Sequence, residues 1–143
     1  MMKERIGAIF IGLIMLFSVV GFALVSVIPD QPTTPEIPHI YNGEMSGSDI
    51  VFLLQNGRTI FRYYYDSTSQ NNLDEKITLE IFANKVKDFV VLNEIESNTT
   101  KLEIVGVVNG EGKIIDFEGE ITEENLFIEL CERAYVKPKE CYL

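Results

Sequence analysis

The first thirty residues contain a long apolar run. Residues 6–28 include no charged side chain over 23 positions. A helix rises about 1.5 Å per residue, so this run is long enough to cross a hydrocarbon core of about 30 Å. Lys3 and Arg5 precede it and Asp30 follows it, and cationic flanks tend to stay cytoplasmic. The sequence therefore predicts that residues 1–28 form a cytoplasmic start and a single transmembrane anchor in contact with membrane lipid, with the remainder of the chain outside the cytoplasm.

A cleaved signal peptide is the alternative for this segment. Small residues near its end, Gly21, Ala23 and Ser26, have the composition of a cleavage region. The apolar part of a signal peptide is usually about 7–15 residues long. Because the run here is longer, the sequence favours an uncleaved anchor in the cell membrane.

Residues 29–40 have the composition of a linker. Pro29, Pro32, Pro35 and Pro38 recur at every third position among polar residues, a pattern that favours an extended spacer. His39, the only histidine of the chain, follows them. A single imidazole with no cysteine nearby is a poor metal ligand, so we expect no metal or cofactor here.

Residues 41–143 have the length of one small domain. Lys3 and Arg5 are two of the twelve basic residues and Glu4 is one of the 22 acidic ones, so ten basic and 21 acidic residues follow the anchor, a net charge of −11. This charge repels phosphate backbones and argues against a nucleic-acid partner.

The first part of this domain reads as a hairpin followed by a helix. An apolar run, 50–54, and a run rich in aromatic residues, 59–65, flank Asn56 and Gly57, a pattern typical of two strands joined by a tight turn. Apolar residues then recur at helical spacing over 73–88. Asn72 is expected to cap this helix.

The second part reads as three strands and a closing helix. The strands are expected over 90–95, 102–108 and 113–117, with a Gly-containing turn between the last two. Thr122 is expected to cap the final helix, because Glu123 and Glu124 follow it and suit the positive end of a helix dipole. The predicted order is β-β-α-β-β-β-α, which forms a mixed sheet covered by helices.

A strand, a helix, a strand, a hairpin and a closing helix is the core order of the thioredoxin-like fold. Residues 64–72 resemble the aromatic strand end of membrane-anchored prokaryotic thioredoxin-like domains, which often continues through a threonine into Cys-Pro-His-Cys. Residues 107–115 resemble the late hairpin of that family, and residues 117–126 resemble its lead into the last helix. The resemblance covers roughly residues 59–135. It implies an α/β fold, a thioredoxin-like mixed sheet flanked by helices, preceded here by one transmembrane helix.

The resemblance also implies a degenerate active site at Ser69, Gln70, Asn71 and Asn72. In this alignment Ser69 and Asn72 stand where active members have their two cysteines. Thiol exchange needs a thiolate that attacks and a second thiol that resolves the mixed disulfide. The cis-proline that faces the cysteine pair in active members is missing too, since no proline occurs between positions 38 and 138. We therefore expect no catalytic residue at this position and no oxidoreductase activity from it.

The two cysteines of the chain are Cys131 and Cys141. Extracytosolic domains of the kind that the chain resembles often end in such a pair. In an oxidising compartment the pair would form a disulfide. For so short a loop, we expect this bond to stabilise the fold by about 2–3 kcal/mol. A redox-active dithiol is the alternative, and two free thiols are expected if the topology is wrong.

Asn98, Thr99 and Thr100 match the acceptor pattern for N-glycosylation. The pattern falls in a polar stretch between two predicted strands. Under the predicted topology it lies outside the cytoplasm, which makes Asn98 a candidate modification site.

The sequence favours a membrane-anchored, redox-inactive domain that binds another protein as a scaffold or accessory. One alternative is an oxidoreductase accessory that uses Cys131 and Cys141. Another is a pilin-like filament or envelope-complex subunit. The sequence lacks the acidic residue usually found just inside the apolar helix of pilins, because residues 6–28 are uncharged.

Overall fold

A computed structural model describes residues 11–15 and 36–143 of the chain. Residues 11–15 are helical. The rest of the predicted membrane anchor and the first part of the predicted linker lie outside the described residues. Within the described ranges, no helix has the length and apolar character needed to cross a membrane.

Residues Ile37–Leu143 form one compact unit. It contains five strands, three α-helices and a short 3₁₀ helix. In chain order these are β1 (Ile40–Asn42), α1 (Gly47–Gln55), β2 (Thr59–Tyr65), α2 (Gln70–Lys85), β3 (Val90–Glu96), β4 (Lys101–Val108), β5 (Glu111–Asp116), α3 (Glu123–Arg133) and the 3₁₀ helix (Lys139–Tyr142).

The five strands form a single mixed sheet in the order β1-β3-β2-β4-β5. The strands β1, β2 and β3 run parallel, β4 is antiparallel to β2, and β5 is antiparallel to β4. The carboxyl ends of β2 and β3 therefore lie at the same edge of the sheet, next to the start of β4.

Helices cover both faces of this sheet. On one face, Phe61 and Tyr63 of β2 pack with Leu79 and Phe82 of α2 and with Leu126 of α3. On the other face, Ile60, Val91 and Val105 pack under Leu53 of α1. Side chains alternate between the two faces of a strand, so the central strand β2 supplies both cores. A strand that contributes to both cores is expected in the middle of a sheet, and β2 is the middle strand of the five.

The predicted hairpin is wrong. Residues 50–54 lie in α1, a helix that begins after Ser46, whose hydroxyl accepts a hydrogen bond from the backbone N–H of Asp49 at 3.2 Å. The Asn-Gly pair ends this helix. Gly57 has a φ of 76° and donates to the carbonyl of Leu54, while Arg58 donates to that of Leu53. A glycine with positive φ serves a helix end as well as a hairpin turn.

The helix after β2 also begins earlier than predicted, at Gln70. Its N-cap is Ser69, and Asn72 lies within the first turn, so the prediction of Asn72 as the cap is wrong. The helix ends at Lys85 instead of residue 88. The prediction that Thr122 caps the last helix is confirmed, because its hydroxyl accepts from the N–H of Asn125 at 3.2 Å.

Two further elements were not predicted. The strand β1 has only three residues and follows the Pro-rich segment directly. The tail after α3 ends in the 3₁₀ helix, where Cys141 forms a disulfide with Cys131 of α3. The disulfide predicted between these two residues is thus present in the structure.

Candidate functional site

The candidate site lies at the edge of the sheet where β2 and β3 end. Residues 66–69 join β2 to α2, and residues 97–100 join β3 to β4. The first connection is linked to the end of β3, because the hydroxyl of Ser67 donates a hydrogen bond to the carboxylate of Glu96. We call these two connections and the first turn of α2 the α2 face.

Ser69 lies at the start of α2 and is partly exposed. Its hydroxyl accepts a hydrogen bond from the N–H of Asn72 at 3.4 Å, which satisfies one of the free N–H groups of the first turn. Upstream, a carboxylate oxygen of Asp66 accepts from the N–H of Thr68 at 2.9 Å and from its hydroxyl at 2.7 Å. These bonds to Thr68 lower the pKa of Asp66, so the turn carries a negative charge next to the helix start.

Asn72 is buried in the first turn, with 7% of its surface exposed. Its side-chain oxygen accepts two hydrogen bonds, one from the N–H of Asp66 at 2.9 Å and one from the hydroxyl of Thr100 at 2.5 Å. The amide thereby joins the end of β2 to the connection before β4. A hydrogen-bonded amide of this kind has a structural role and no nucleophilic character.

Gln70 and Asn71 are exposed on the same turn. Their side-chain amides donate to the carboxylates of Asp74 and Glu75 one turn further along α2, at 3.1 Å and 3.4 Å. The four residues predicted as the degenerate active site are therefore together in the structure. Two of them are structural, at the cap and in the interior, and two face solvent.

A polar cavity of about 180 Å³ lies beside this turn. Tyr63, Glu75, Thr100 and Phe117 contribute to its lining. Tyr63 is fully buried, and its hydroxyl donates a hydrogen bond to the carboxylate of Glu75 at 2.5 Å. Burial raises the pKa of Tyr63 far above its ordinary value, and the bond to Glu75 raises it further. The phenol is therefore neutral, and its single O–H is donated to Glu75.

Thr100, Glu75 and Tyr63 were not predicted from the sequence as members of this site. Tyr63 is a core residue, yet its hydroxyl reaches the cavity. The contact between Thr100 and Asn72 depends on the placement of β4 beside β2, which no local pattern reveals.

A second polar cluster joins β3 to the middle of α2. The side chain of Glu94 is 1% exposed and pairs with the ammonium of Lys76 at 3.1 Å, while Lys76 also pairs with Glu80 at 3.1 Å. Burial raises the pKa of Glu94 to about 7, and its contact with Glu80 adds to this shift. The Lys76 ammonium lies 5.5 Å from the ring centre of Tyr65. Burial disfavours the charge of Lys76, but its bonds to Glu80 and Glu94 give a net rise in its pKa.

The cysteines lie on other elements, α3 and the 3₁₀ helix, and both are partly exposed. His39 is bonded to the side chain of Asn84 at 2.7 Å. Among residues 11–15 and 36–143, no group of three acidic, histidine or cysteine side chains is arranged to hold a metal ion. Asn98 is exposed in the connection between β3 and β4.

Comparison with solved structures identifies the architecture. The first thioredoxin domain of mouse protein disulfide-isomerase A4 aligns with a TM-score of 0.50 at 15% identity, over 78% of this chain and 89% of that one. A mutant thioredoxin from Halobacterium salinarum NRC-1 aligns with a TM-score of 0.52 at 12% identity, over 73% of this chain and 100% of that one. The fold is thioredoxin-like.

ERdj5 in crystal form I also aligns, with a TM-score of 0.52 at 18% identity over 66% of this chain. The chain spans 14% of the length of ERdj5 and 48% of the length of its J-Trx1 fragment. No protein-family model matches the sequence, and no curated protein matches it either. These similarities establish the thioredoxin-like fold that the sequence predicted, a mixed sheet flanked by helices.

Proposed function

We propose that this protein is a single-pass, membrane-anchored scaffold whose thioredoxin-like domain binds another protein outside the cytoplasm without thiol chemistry. The observation that carries the proposal is the burial and hydrogen bonding of the Asn72 side chain. A buried amide, bonded to Asp66 and Thr100, occupies the position that the resemblance assigns to the second cysteine. Ser69, at the position of the first, is a helix cap.

The binding part of the proposal is supported by the α2 face. Gln70, Asn71 and Asn98 are exposed on it, and the turn from Asp66 to Ser69 is held by side-chain hydrogen bonds. A surface that is already ordered loses little conformational entropy when a partner binds. The cavity next to Thr100 offers a partner's side chain the carboxylate of Glu75, which the phenol O–H of Tyr63 holds in place.

The absence of thiol chemistry at the α2 face is tested with the full-length protein in detergent micelles. Reduction of insulin and oxidation of a dithiol peptide are measured for the wild-type protein and for the double variant Ser69→Cys with Asn72→Cys. We expect no turnover from the wild type above the buffer rate. The double variant, which restores both thiols at the helix start, is expected to gain measurable activity.

The second candidate function is an oxidoreductase accessory that uses the Cys131–Cys141 disulfide. The observation in its favour is that both cysteines are bonded and only partly buried. In the same assay this function predicts wild-type turnover that disappears when Cys131 and Cys141 are replaced by serine. Turnover with that cysteine dependence would replace the scaffold proposal.

A further inference from the structure

An apolar groove of about 440 Å³ lies between the end of α2, the start of α3 and the C-terminal tail. Its apolar lining consists of Phe82 from α2, Val86 directly after α2, Phe127 from α3 and Pro138 from the tail. Phe82 is 3% exposed and belongs to the main core. The floor of the groove is therefore fixed by core packing.

The polar rim of this groove carries excess negative charge. Three carboxylates line it, those of Glu123, Glu124 and Glu140, against the single ammonium of Lys85. Lys85 is already paired with Glu123 at 2.7 Å. Glu124 and Glu140 form no ion pair with any residue of the described part of the chain. Two uncompensated carboxylates thus stand above an apolar floor.

This combination matches one kind of side chain. Lysine and arginine have a long aliphatic stem and a cationic end, so the stem can pack on an apolar floor while the charge stays at a polar rim. The ten basic and 21 acidic residues that follow position 28 also give the chain a field that attracts cations. We propose that this groove binds a basic, partly apolar peptide segment of a partner protein.

The groove is separate from the α2 face. Phe82 follows Asn72 by ten positions in the same helix, which corresponds to about 15 Å along its axis. The groove proposal therefore does not depend on the function proposed for the α2 face, and the two can fail independently.

One wall of the groove depends on the disulfide. Pro138 is buried and Glu140 lines the rim, and both belong to the tail that Cys141 ties to Cys131 of α3. The tail supplies both an apolar contact and one of the two unpaired carboxylates.

The test measures peptide binding to the full-length protein in nanodiscs of zwitterionic lipid, which offer a basic peptide no anionic head groups. The probe is a short fluorescent peptide of alternating leucine and lysine, compared with an analogue in which every lysine is replaced by glutamate. Fluorescence anisotropy reports the dissociation constant. We expect the basic peptide to bind and the acidic analogue not to bind.

Two variants locate the binding site. Glu124→Gln with Glu140→Gln removes the unpaired carboxylates and is expected to weaken binding roughly three- to tenfold. Lys85→Gln frees Glu123 and is expected to tighten binding roughly two- to fivefold. Tightening cannot result from damage to the fold. The control, Glu111→Gln with Glu118→Gln, removes two exposed carboxylates that do not line the groove and should leave affinity within about 1.5-fold, because exposed charges that make no direct contact are weakened by salt screening.

Equal weakening by the two double variants would show attraction to net charge alone and would overturn the proposal. Equal binding of the basic and acidic peptides, or no binding of either, would overturn it as well.

Discussion

The hydroxyl of Thr100 donates a hydrogen bond to the side-chain oxygen of Asn72 at 2.5 Å. The bond joins the connection before β4 to the first turn of α2, 28 residues earlier in the chain. The same oxygen of Asn72 accepts from the backbone of Asp66. The residue at the second cysteine position of the resemblance thus links three segments of the α2 face.

Asn72→Ala is expected to lower the free energy of unfolding by about 1–3 kcal/mol, because it removes a buried amide and leaves the partly buried N–H of Asp66 and the hydroxyl of Thr100 without their acceptor. The matched control is Asn71→Ala, at the exposed residue just before. This substitution should change the free energy of unfolding by less than about 0.5 kcal/mol. Urea denaturation followed by circular dichroism measures both. Equal effects of the two substitutions would contradict a structural role for Asn72.

Glu94 is expected to make stability depend on pH. Burial raises its pKa from 4.5 to about 7 in the folded protein. Between these values the folded state binds more protons than the unfolded state, so the free energy of unfolding falls as the pH rises and levels off above about pH 7. Denaturation curves should give a free energy of unfolding that is roughly 1–3 kcal/mol lower at pH 8 than at pH 5, because of Glu94.

The variant Glu94→Gln cannot titrate and should lose this part of the pH dependence, while Lys76 keeps its pairing with Glu80. Glu118→Gln removes an exposed carboxylate and should retain the wild-type dependence. An unchanged slope in Glu94→Gln would show that other groups cause it.

Replacing both Cys131 and Cys141 by serine should lower the free energy of unfolding by about 2–3 kcal/mol, because the unfolded chain loses the constraint of a closed loop. Treating the wild type with a reductant should produce the same loss, and the double variant should not respond to it. Denaturation curves with and without reductant measure this. A wild type that is equally stable in both conditions would contradict a stabilising role for the disulfide.

Gly57 ends α1 with a φ of 76°, and a Cβ added there would lie 2.5 Å from a methyl carbon of Val136. Gly57→Ala is therefore expected to destabilise the fold through backbone strain and a clash, by about 1–3 kcal/mol. Gly43 has a φ of 92° with nothing within 4 Å of an added Cβ, so Gly43→Ala carries the strain alone and should cost less. Adding Val136→Ala to Gly57→Ala should restore only the part of the stability that the clash removes. Equal losses at the two glycines, with no recovery, would show that the Val136 contact does not matter.

The strongest local patterns predicted most of the sheet and two of the helices. The runs at β2, β3 and β4 gave strands close to their observed bounds, and Thr122 was correctly predicted as a cap. The run from Ile50 to Leu54 failed because a short apolar run does not distinguish a buried strand from a helix. The Asn-Gly pair after it did not resolve the ambiguity, since it suits a hairpin turn as well as a helix end.

The site was predictable only in part. The resemblance placed Ser69 and Asn72 at the start of a helix, where the structure has them. The partners of Asn72 and the bond between Tyr63 and Glu75 were not predictable, because they depend on how β2, β4 and α2 are placed in three dimensions. The apolar groove beside the tail likewise requires α2, α3 and the disulfide-tied tail to be brought together.

The most direct test of the scaffold proposal is photo-crosslinking in intact membranes. A photoreactive amino acid is placed at position 71, on the exposed side of the first turn of α2, and in a separate protein at position 113, which is exposed on the edge strand β5. Crosslinked products are identified by mass spectrometry. The proposal predicts a discrete protein adduct from position 71 that position 113 does not give. The adduct should persist in the variant Asn98→Gln, which removes any glycan from the same face. No adduct from position 71, or the same adducts from both positions, would contradict it.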